Sequence, residues 1–429
     1  MQIHLSLRKF TVTIFFVLIL CDALDAYRVG PFPIPWLAHI GLIFIFLILC
    51  MTDKIYTFPG ARLFSLLLCW VFLVTMINIF FNDYSNLMPP LATTDYFLYV
   101  FLRFLIIITF LATVYIVYWL LTNGCRDILI RWIVRLGTIV SIIAIYIYIA
   151  QIHSLPQPPK NRNGTNGGKQ PTTFSYAFER VTGTFREPAL LAEWLVIPFF
   201  LSLVYSRELI NLHTIIIGST VLLTGSLAGI LGILLGIIVG LLITNSLRFF
   251  NFKLLLEGIL ILTIMLIIFH YIVNTSTLGS VSLFDVIIKR VAPILLNRGM
   301  LSTNRSYIYV YLLHTKIPYF GAGEGNSNLI LTQYLGSNVI VSFLSLYFNF
   351  MFSSGLIGLT ILCCLLVYPL VLVFFYKRLD RNIFWFISGY ITWLIIFGVQ
   401  AEQFTVMFGI IFAFVAFEIS NFKVGCRIS

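Results

Sequence analysis

Apolar runs about as long as a bilayer core is thick recur along almost the whole of this sequence. From Ile34 to Met51, for example, no Asp, Glu, Lys or Arg interrupts the chain. About 20 apolar residues in a helix rise roughly 30 Å, the depth of membrane hydrocarbon. In lipid every backbone donor and acceptor must find its partner inside the protein, so runs of this kind are read as helices. Composition agrees. Of 429 residues, 60% are hydrophobic and 10% charged, where a soluble domain carries about a quarter charged. The 41 Phe and 21 Tyr suit lipid contact and interfacial belts. The expected fold class is all-α, a polytopic integral membrane protein forming a single membrane domain over 1–429.

The runs place twelve spans near 7–21, 33–51, 61–81, 96–122, 128–150, 188–206, 210–224, 226–246, 252–272, 355–376, 383–399 and 403–421. The segment 338–352 is also apolar and is expected to be a partly inserted helix leading into the tenth span. Arg8 and Lys9 before the first run suggest a signal peptide, but Leu20 is too bulky before Cys21 for lipoprotein-type cleavage. An uncleaved first helix is expected. With both termini cytoplasmic, 15 of the 27 Lys and Arg fall on the inner side, while the four short outer loops hold only Arg28. A miscounted helix would invert every later assignment, so this bias supports both number and orientation. No internal repeat is evident, which weighs against transporters built from matched halves.

The net charge of +11 would hint at nucleic acid in a soluble chain. Here its position matters more. Two long outer loops, 151–187 and 273–336, each carry five basic and two acidic residues. The stretch PQPPKNRNGTNGGKQP (156–171) in the first is expected to be mobile. Arginine offers a planar fork of donors that matches phosphate oxygens. Such arginines at a membrane face would suit a lipid-linked pyrophosphate, or else phospholipid head groups. Of seven cysteines, none has a CxxC or Cys/His spacing that would hold zinc.

Local spacing narrows the field. Pro188 suits the first turn of a helix, and Glu187 before it sits at the positive end of the helix dipole, where a diphosphate would be favoured too. Gly183 is read as a point of close backbone approach to a ligand. Arg103 and Glu193 lie within spans, each roughly 10 Å from the outer end; they pair, or both line an outward cavity. Gln400 and Glu402, at the turn between the last two spans, are candidates for the same cavity, whereas Glu257 and His270 lie near span ends. Residues 304–327 read as a short aromatic helix ending in a turn, Gly321-Ala322-Gly323-Glu324-Gly325. Without a preceding strand or a following Lys-Ser/Thr, that turn is not a nucleotide loop.

Four stretches resemble the O-antigen ligase/polymerase superfamily of bacterial surface-polysaccharide enzymes. RVTGTFREPALLAEWL (180–195) is similar to its Arg-x-x-Gly-x-x-x-Glu-Pro segment entering a helix. VLLTGSLAGILGILLGIIVGLL (221–242) resembles its Thr-x-Ser-(Arg)-Gly helix pair. RSYIYVYLLHTKIPYFGAGEGNSN (305–328) resembles its Arg-x-x-x-Tyr helix running to Pro-x-x-Gly-x-Gly. SNVIVSFLSLYFNFMFSSGLIGL (337–359) resembles the segment that follows, ending in Gly-x-x-Gly. These pieces run in order from about 176 to 376. The chain departs from the pattern at Leu227, where many members place arginine, and at Ser337-Asn338, where ligases commonly have His-Asn. The second departure favours polymerase over ligase.

The resemblance implies a multi-pass enzyme of the bacterial inner (plasma) membrane. It would transfer a growing glycan from undecaprenyl diphosphate to another lipid-linked repeat unit, with chain-length-regulator and flippase proteins as partners and no nucleic acid. The alternatives are a ligase delivering polymer to lipid A-core and, from another class, a transporter of lipid-linked oligosaccharide. Arg186 and Arg305 are expected to stabilise the departing diphosphate, with Arg180, Arg290 and Arg298 binding it. Glu187 is the expected base, with His314 and Glu324 as substitutes. Arg103 and Glu193 would line the substrate cavity, and Tyr307, Tyr309 and Tyr319 would stack on sugars. Neither a nucleotide nor a redox cofactor has a motif here, and no metal is required, since arginines can supply the electrostatics.

Overall fold

The computed structural model describes residues 2–30, 32–52, 57–162, 180–206, 211–244, 306–375 and 381–428. These form helices α1 (Gln2–Asp22), α2 (Ile34–Thr52), α3 (Ala61–Phe81), α4 (Tyr96–Thr122), α5 (Arg126–Ile152), α6 (Pro188–Tyr205), α7 (Leu212–Leu223) and α8 (Leu227–Thr244). After the undescribed interval come α9 (Ser306–His314), α10 (Asn326–Tyr334), α11 (Leu346–Ser353), α12 (Gly355–Phe375), α13 (Arg381–Val399) and α14 (Val406–Ile428). Among the described residues the only strands are β1 (Arg28–Val29) and β2 (Phe32–Pro33), an antiparallel pair in the α1–α2 connection.

Every expected span within the described residues is a helix; the expected span at 252–272 lies outside them. Among the described residues, seven helices are long and apolar enough to cross a membrane: α2 to α6, α12 and α13. With 12 residues, α7 rises about 18 Å, less than a bilayer core. The protein is thus an all-α, membrane-embedded chain. On α2, Leu37, Ile40, Phe44 and Leu47 are exposed while Ala38, Leu42, Ile45 and Leu49 are buried. Both sets repeat at helical spacing, and both are apolar, as expected when one face meets lipid and the other meets protein.

The middle of the bundle is α4, α6, α13 and α14. Phe110 of α4 stacks on Phe404 at 4.4 Å between ring centroids, and Phe397 meets Phe408 edge-on at 4.7 Å. Against this core α8 turns a stripe of small residues. A Cβ at Gly236 would lie 2.8 Å from the Ser388 carbonyl oxygen and would collide with the Thr392 hydroxyl; one at Gly240 would meet Ser388. Close backbone approach of this kind is how helices associate in lipid, where burial of apolar surface gives no advantage. We expect Gly236→Leu to prevent α8 from docking on α13. Detergent-solubilised variant that elutes and melts like wild type would disprove it.

One expectation about the chain after α8 needs correction. Residues 338–345 are not helical, and α11 begins only at Leu346. The Ser342 hydroxyl and Phe343 amide are taken by the Glu402 carboxylate, Leu344 has φ +52°, and Ser345 caps α11. A second short helix, α10, follows the glycine-rich turn. That turn is wedged between helices. Its glycines have φ of +81° (Gly321), +93° (Gly323) and +83° (Gly325), and a Cβ at Gly323 would lie 3.1 Å from the Thr75 backbone. Its amides are satisfied by other elements: Ala322 and Gly323 donate to the Phe352 and Ser353 carbonyls, and Glu324 N donates to Thr75 Oγ1 at 2.8 Å. Irregular backbone is tolerated at this position because it is enclosed by protein.

Candidate binding cavity

A partly open cavity of about 470 Å³ lies where the α1–α2 connection, the entry to α6, Ser342 and Leu344, and the α13–α14 turn meet. Its size is in the range of small-molecule sites.

One wall is built around Asp25. Arg162 pairs with Asp25 Oδ1 and also donates to the Asp25 carbonyl at 2.8 Å. Arg186 reaches Oδ2 through its Nε at 3.0 Å and its backbone amide at 3.2 Å. The backbone holds the same pieces together: Ala26 N donates to the Thr184 carbonyl, Arg162 N to the Ala26 carbonyl, and the Thr184 hydroxyl to the Ala23 carbonyl. Behind them Lys160 donates to Thr182 Oγ1 and the Phe185 carbonyl, both at 2.7 Å. Three cations therefore gather around one aspartate. Burial, more than the neighbouring Arg186, pushes Arg162 below its ordinary pKa against the pull of Asp25.

The lining also carries carboxylates and amides. Glu187 is the N-cap of α6, with Pro188 following it, and it is exposed at the cavity mouth. Two turns further in, Glu193 is buried at 4% exposure and lines the interior. Gln400, Glu402 and Gln403 come from the α13–α14 turn. Trp36, Trp194 and Trp393 add flat apolar surface; Trp194 donates its ring N–H to Asp22 at 3.1 Å, and Trp36 lies against His39 with ring centroids 5.3 Å apart. The described lining holds more carboxylates (Asp22, Asp25, Glu187, Glu193, Glu402) than guanidiniums (Arg162, Arg186).

Glu402 ties the cavity to the bundle. Its carboxylate pairs with Arg103 at 2.7 Å and accepts from Ser342 Oγ at 2.6 Å, Phe343 N at 2.7 Å and Asn328 Nδ2 at 3.3 Å. Burial alone would raise its pKa, but Arg103 and these donors outweigh burial and hold it below the ordinary carboxylate range. Arg103 also donates to Tyr99 Oη at 3.0 Å and lies over that ring. Beyond it sits Glu324, 2% exposed, accepting from Asn349 Nδ2 at 3.3 Å. Burial lifts the Glu324 pKa, and the nearby Arg103 opposes the rise.

Of the residues singled out from sequence, Arg186, Glu187 and Glu193 line the cavity, together with Gln400 and Glu402. Arg103 pairs with Glu402 and not with Glu193. Arg180 lies elsewhere: its Nε donates to the Thr224 carbonyl at 2.6 Å, closing the C-terminal end of α7. Gly183 does approach another backbone closely, but that backbone is α5, where a Cβ would stand 2.6 Å from Ala144 Cβ. His314 is exposed at the end of α9, Tyr319 is exposed at 71%, and Tyr307 donates to the Ser342 carbonyl. Arg290, Arg298, Arg305, Glu257 and His270 lie outside the described residues, as does the Tyr309 side chain. Sequence reasoning missed Asp22, Asp25, His39, the tryptophans and Arg162. The two aspartates stand three apart just past an apolar run, a signal that was available. Arg162 falls in the stretch expected to be mobile, yet Asn161 bonds the Arg28 backbone in both directions and fixes the chain there.

Lys160 provides a pH test of this wall. Burial pushes its pKa down from 10.5 to about 8, against Asp25. The unfolded chain then binds more protons between those values, so Lys160 adds stability as pH rises through the window and loses it as pH falls through about 8. The melting-temperature difference between wild type and Lys160→Met should shift towards wild type from neutral to alkaline pH. A pH-independent difference would place the amine in solvent.

No protein-family model matches the chain, and no curated protein matches its sequence.

Proposed function

We propose that this chain is a glycosyltransferase of a bacterial plasma membrane that polymerises undecaprenyl-diphosphate-linked oligosaccharide repeat units. It crosses the membrane twelve times with both termini cytoplasmic, and the cavity opens on the extracytoplasmic face. In that orientation the C-terminal ends of α1 and α13 and the N-terminal ends of α2, α4 and α6 share one side.

The observation that carries the reading is the mixed lining of the cavity. Arg162 and Arg186 line it together with Glu187, Glu193, the α13–α14 amides and tryptophan. Polymerisation needs both chemistries. Guanidinium forks stabilise the charge that builds on a departing diphosphate. Sugar hydroxyls donate to carboxylates and amides, while the C–H faces of the rings rest on indole. The acceptor hydroxyl attacks the anomeric carbon of the donor glycan, and the carbon–oxygen bond to diphosphate breaks. The hydroxyl proton passes to Glu187 at the mouth, and undecaprenyl diphosphate leaves with the electron pair.

The test is purified full-length chain in detergent or nanodiscs, supplied with a lipid-linked repeat unit and run on a gel. A ladder of products spaced by one repeat is expected. Unextended substrate from well-folded protein would reject the activity, and polymer appearing only on a non-prenyl acceptor would make the protein a ligase.

A further inference from the structure

Behind the cavity, the glycine-rich turn, α10 and α11 bury a set of oxygen atoms that the described residues do not fully satisfy. Glu324, Ser327, Asn328, Asn349 and Ser353 are each at most 2% exposed. Both amide nitrogens are committed to acceptors. Asn328 Nδ2 donates to the Val341 carbonyl at 3.0 Å and to Glu402. Asn349 Nδ2 donates to Glu324 Oε1 and to the Glu402 carbonyl, each at 3.3 Å. Among the described residues this leaves Asn328 Oδ1, Asn349 Oδ1 and the Ser327 hydroxyl without a hydrogen-bond partner, while the Ser353 hydroxyl has only the Glu324 carboxylate beside it. Ser353 follows Asn349 by one helical turn on α11, so both sit on its same face.

The imbalance has a sign. The two amide oxygens can only accept, as can the ionised Glu324 carboxylate, and hydroxyls accept as readily as they donate. Charge leans the same way: among the described residues Arg103 is the one cation beside two carboxylates, and Glu402 already pairs with it. Buried acceptors and an uncompensated negative charge are both costly. A small hard cation relieves both at once. A single excess charge calls for a monovalent ion, and neutral amide, hydroxyl and carboxylate oxygens suit an alkali ion over a soft metal. Among the described residues no cluster of three or more His, Cys, Asp or Glu offers a transition-metal site.

We propose that Glu324, Asn328 and Asn349, with Ser327 and Ser353, bind a sodium-sized monovalent cation that locks α10 and α11 onto α4 behind the cavity. This does not depend on the chemistry assigned to the cavity, and its test measures no turnover. The competing occupant is a proton on Glu324, whose charged and titratable neighbours are Arg103 and Tyr99 from α4 and Glu402 from the α13–α14 turn.

Thermal unfolding of the full chain in detergent would be followed in sodium chloride and in N-methylglucamine chloride at matched ionic strength, at mildly alkaline and mildly acidic pH. Sodium should raise the melting temperature saturably by at least about 2 °C at alkaline pH. Glu324→Gln should abolish the increment, and Ser353→Ala should weaken apparent sodium affinity about tenfold. If Glu324→Gln does not fold, Ser353→Ala decides alone. Equal melting in the two salts, an increment that survives in both variants, or a rise that follows acidification in either salt would overturn the proposal.

Discussion

Glu402→Ala should cost the folded protein about 3–5 kcal/mol, the range for stranding a buried charge by deleting its partner. Arg103, with 9% of its side chain exposed, would keep only Tyr99 and Gln403 as acceptors. The Ser342 hydroxyl and the Phe343 amide would lose their acceptor too, and that would release the non-helical segment that brings Ser342 and Leu344 to the cavity. Arg103→Ala should cost a comparable amount, since Glu402 would then be buried without its cation. Replacing both with methionine should cost less than either single change, because no unpaired charge remains. Denaturation in mixed micelles, read by intrinsic fluorescence, would measure all three. Singles that unfold with wild type would show that the pair is solvated and structurally idle.

The helices were legible because an apolar run with helical periodicity has few other fates in lipid. The start of α6 was legible down to the residue, because Glu187-Pro188 is a local signal that needs no distant partner. What defeated sequence reading was pairing across the chain. Nothing near Arg103 announces that its carboxylate comes from the last turn of the bundle. Glu193 was the nearer guess by depth, but depth fixes only one of three coordinates. The segment 338–345 looked helical because it is apolar; its backbone is instead occupied by Glu402, a long-range bond that local propensity cannot register. Lys160 and Arg162 were read as part of a mobile stretch on proline and glycine content. They are fixed by Thr182, Phe185 and Asp25. Counting only the basic residues of the short outer loops hid Asp25, which organises the wall that Arg162 and Arg186 form.

That wall has a consequence for activity. Asp25 holds Arg186 by its Nε and backbone amide, so the rest of the guanidinium fork is left at a half-exposed position on the cavity lining. An arginine pre-oriented in this way needs no reorganisation when negative charge appears on a leaving phosphate. Under the proposed polymerase activity, Arg186→Ala should therefore reduce chain extension about 10²–10³-fold, the usual effect of removing one donor to developing charge, while insertion and melting stay near wild type. Arg186→Lys should recover only part of the rate, because an ammonium cannot hold Asp25 and a phosphate oxygen with one planar fork. Asp25→Asn should fall between the two, since it leaves the cation but loosens its aim. Glu187→Gln should lower kcat more than it raises KM, as expected for a base at the acceptor hydroxyl. Ladders of wild-type length and rate from well-folded Arg186→Ala and Glu187→Gln would remove the cavity from the chemistry and leave Asp25, Arg162 and Arg186 as a structural knot.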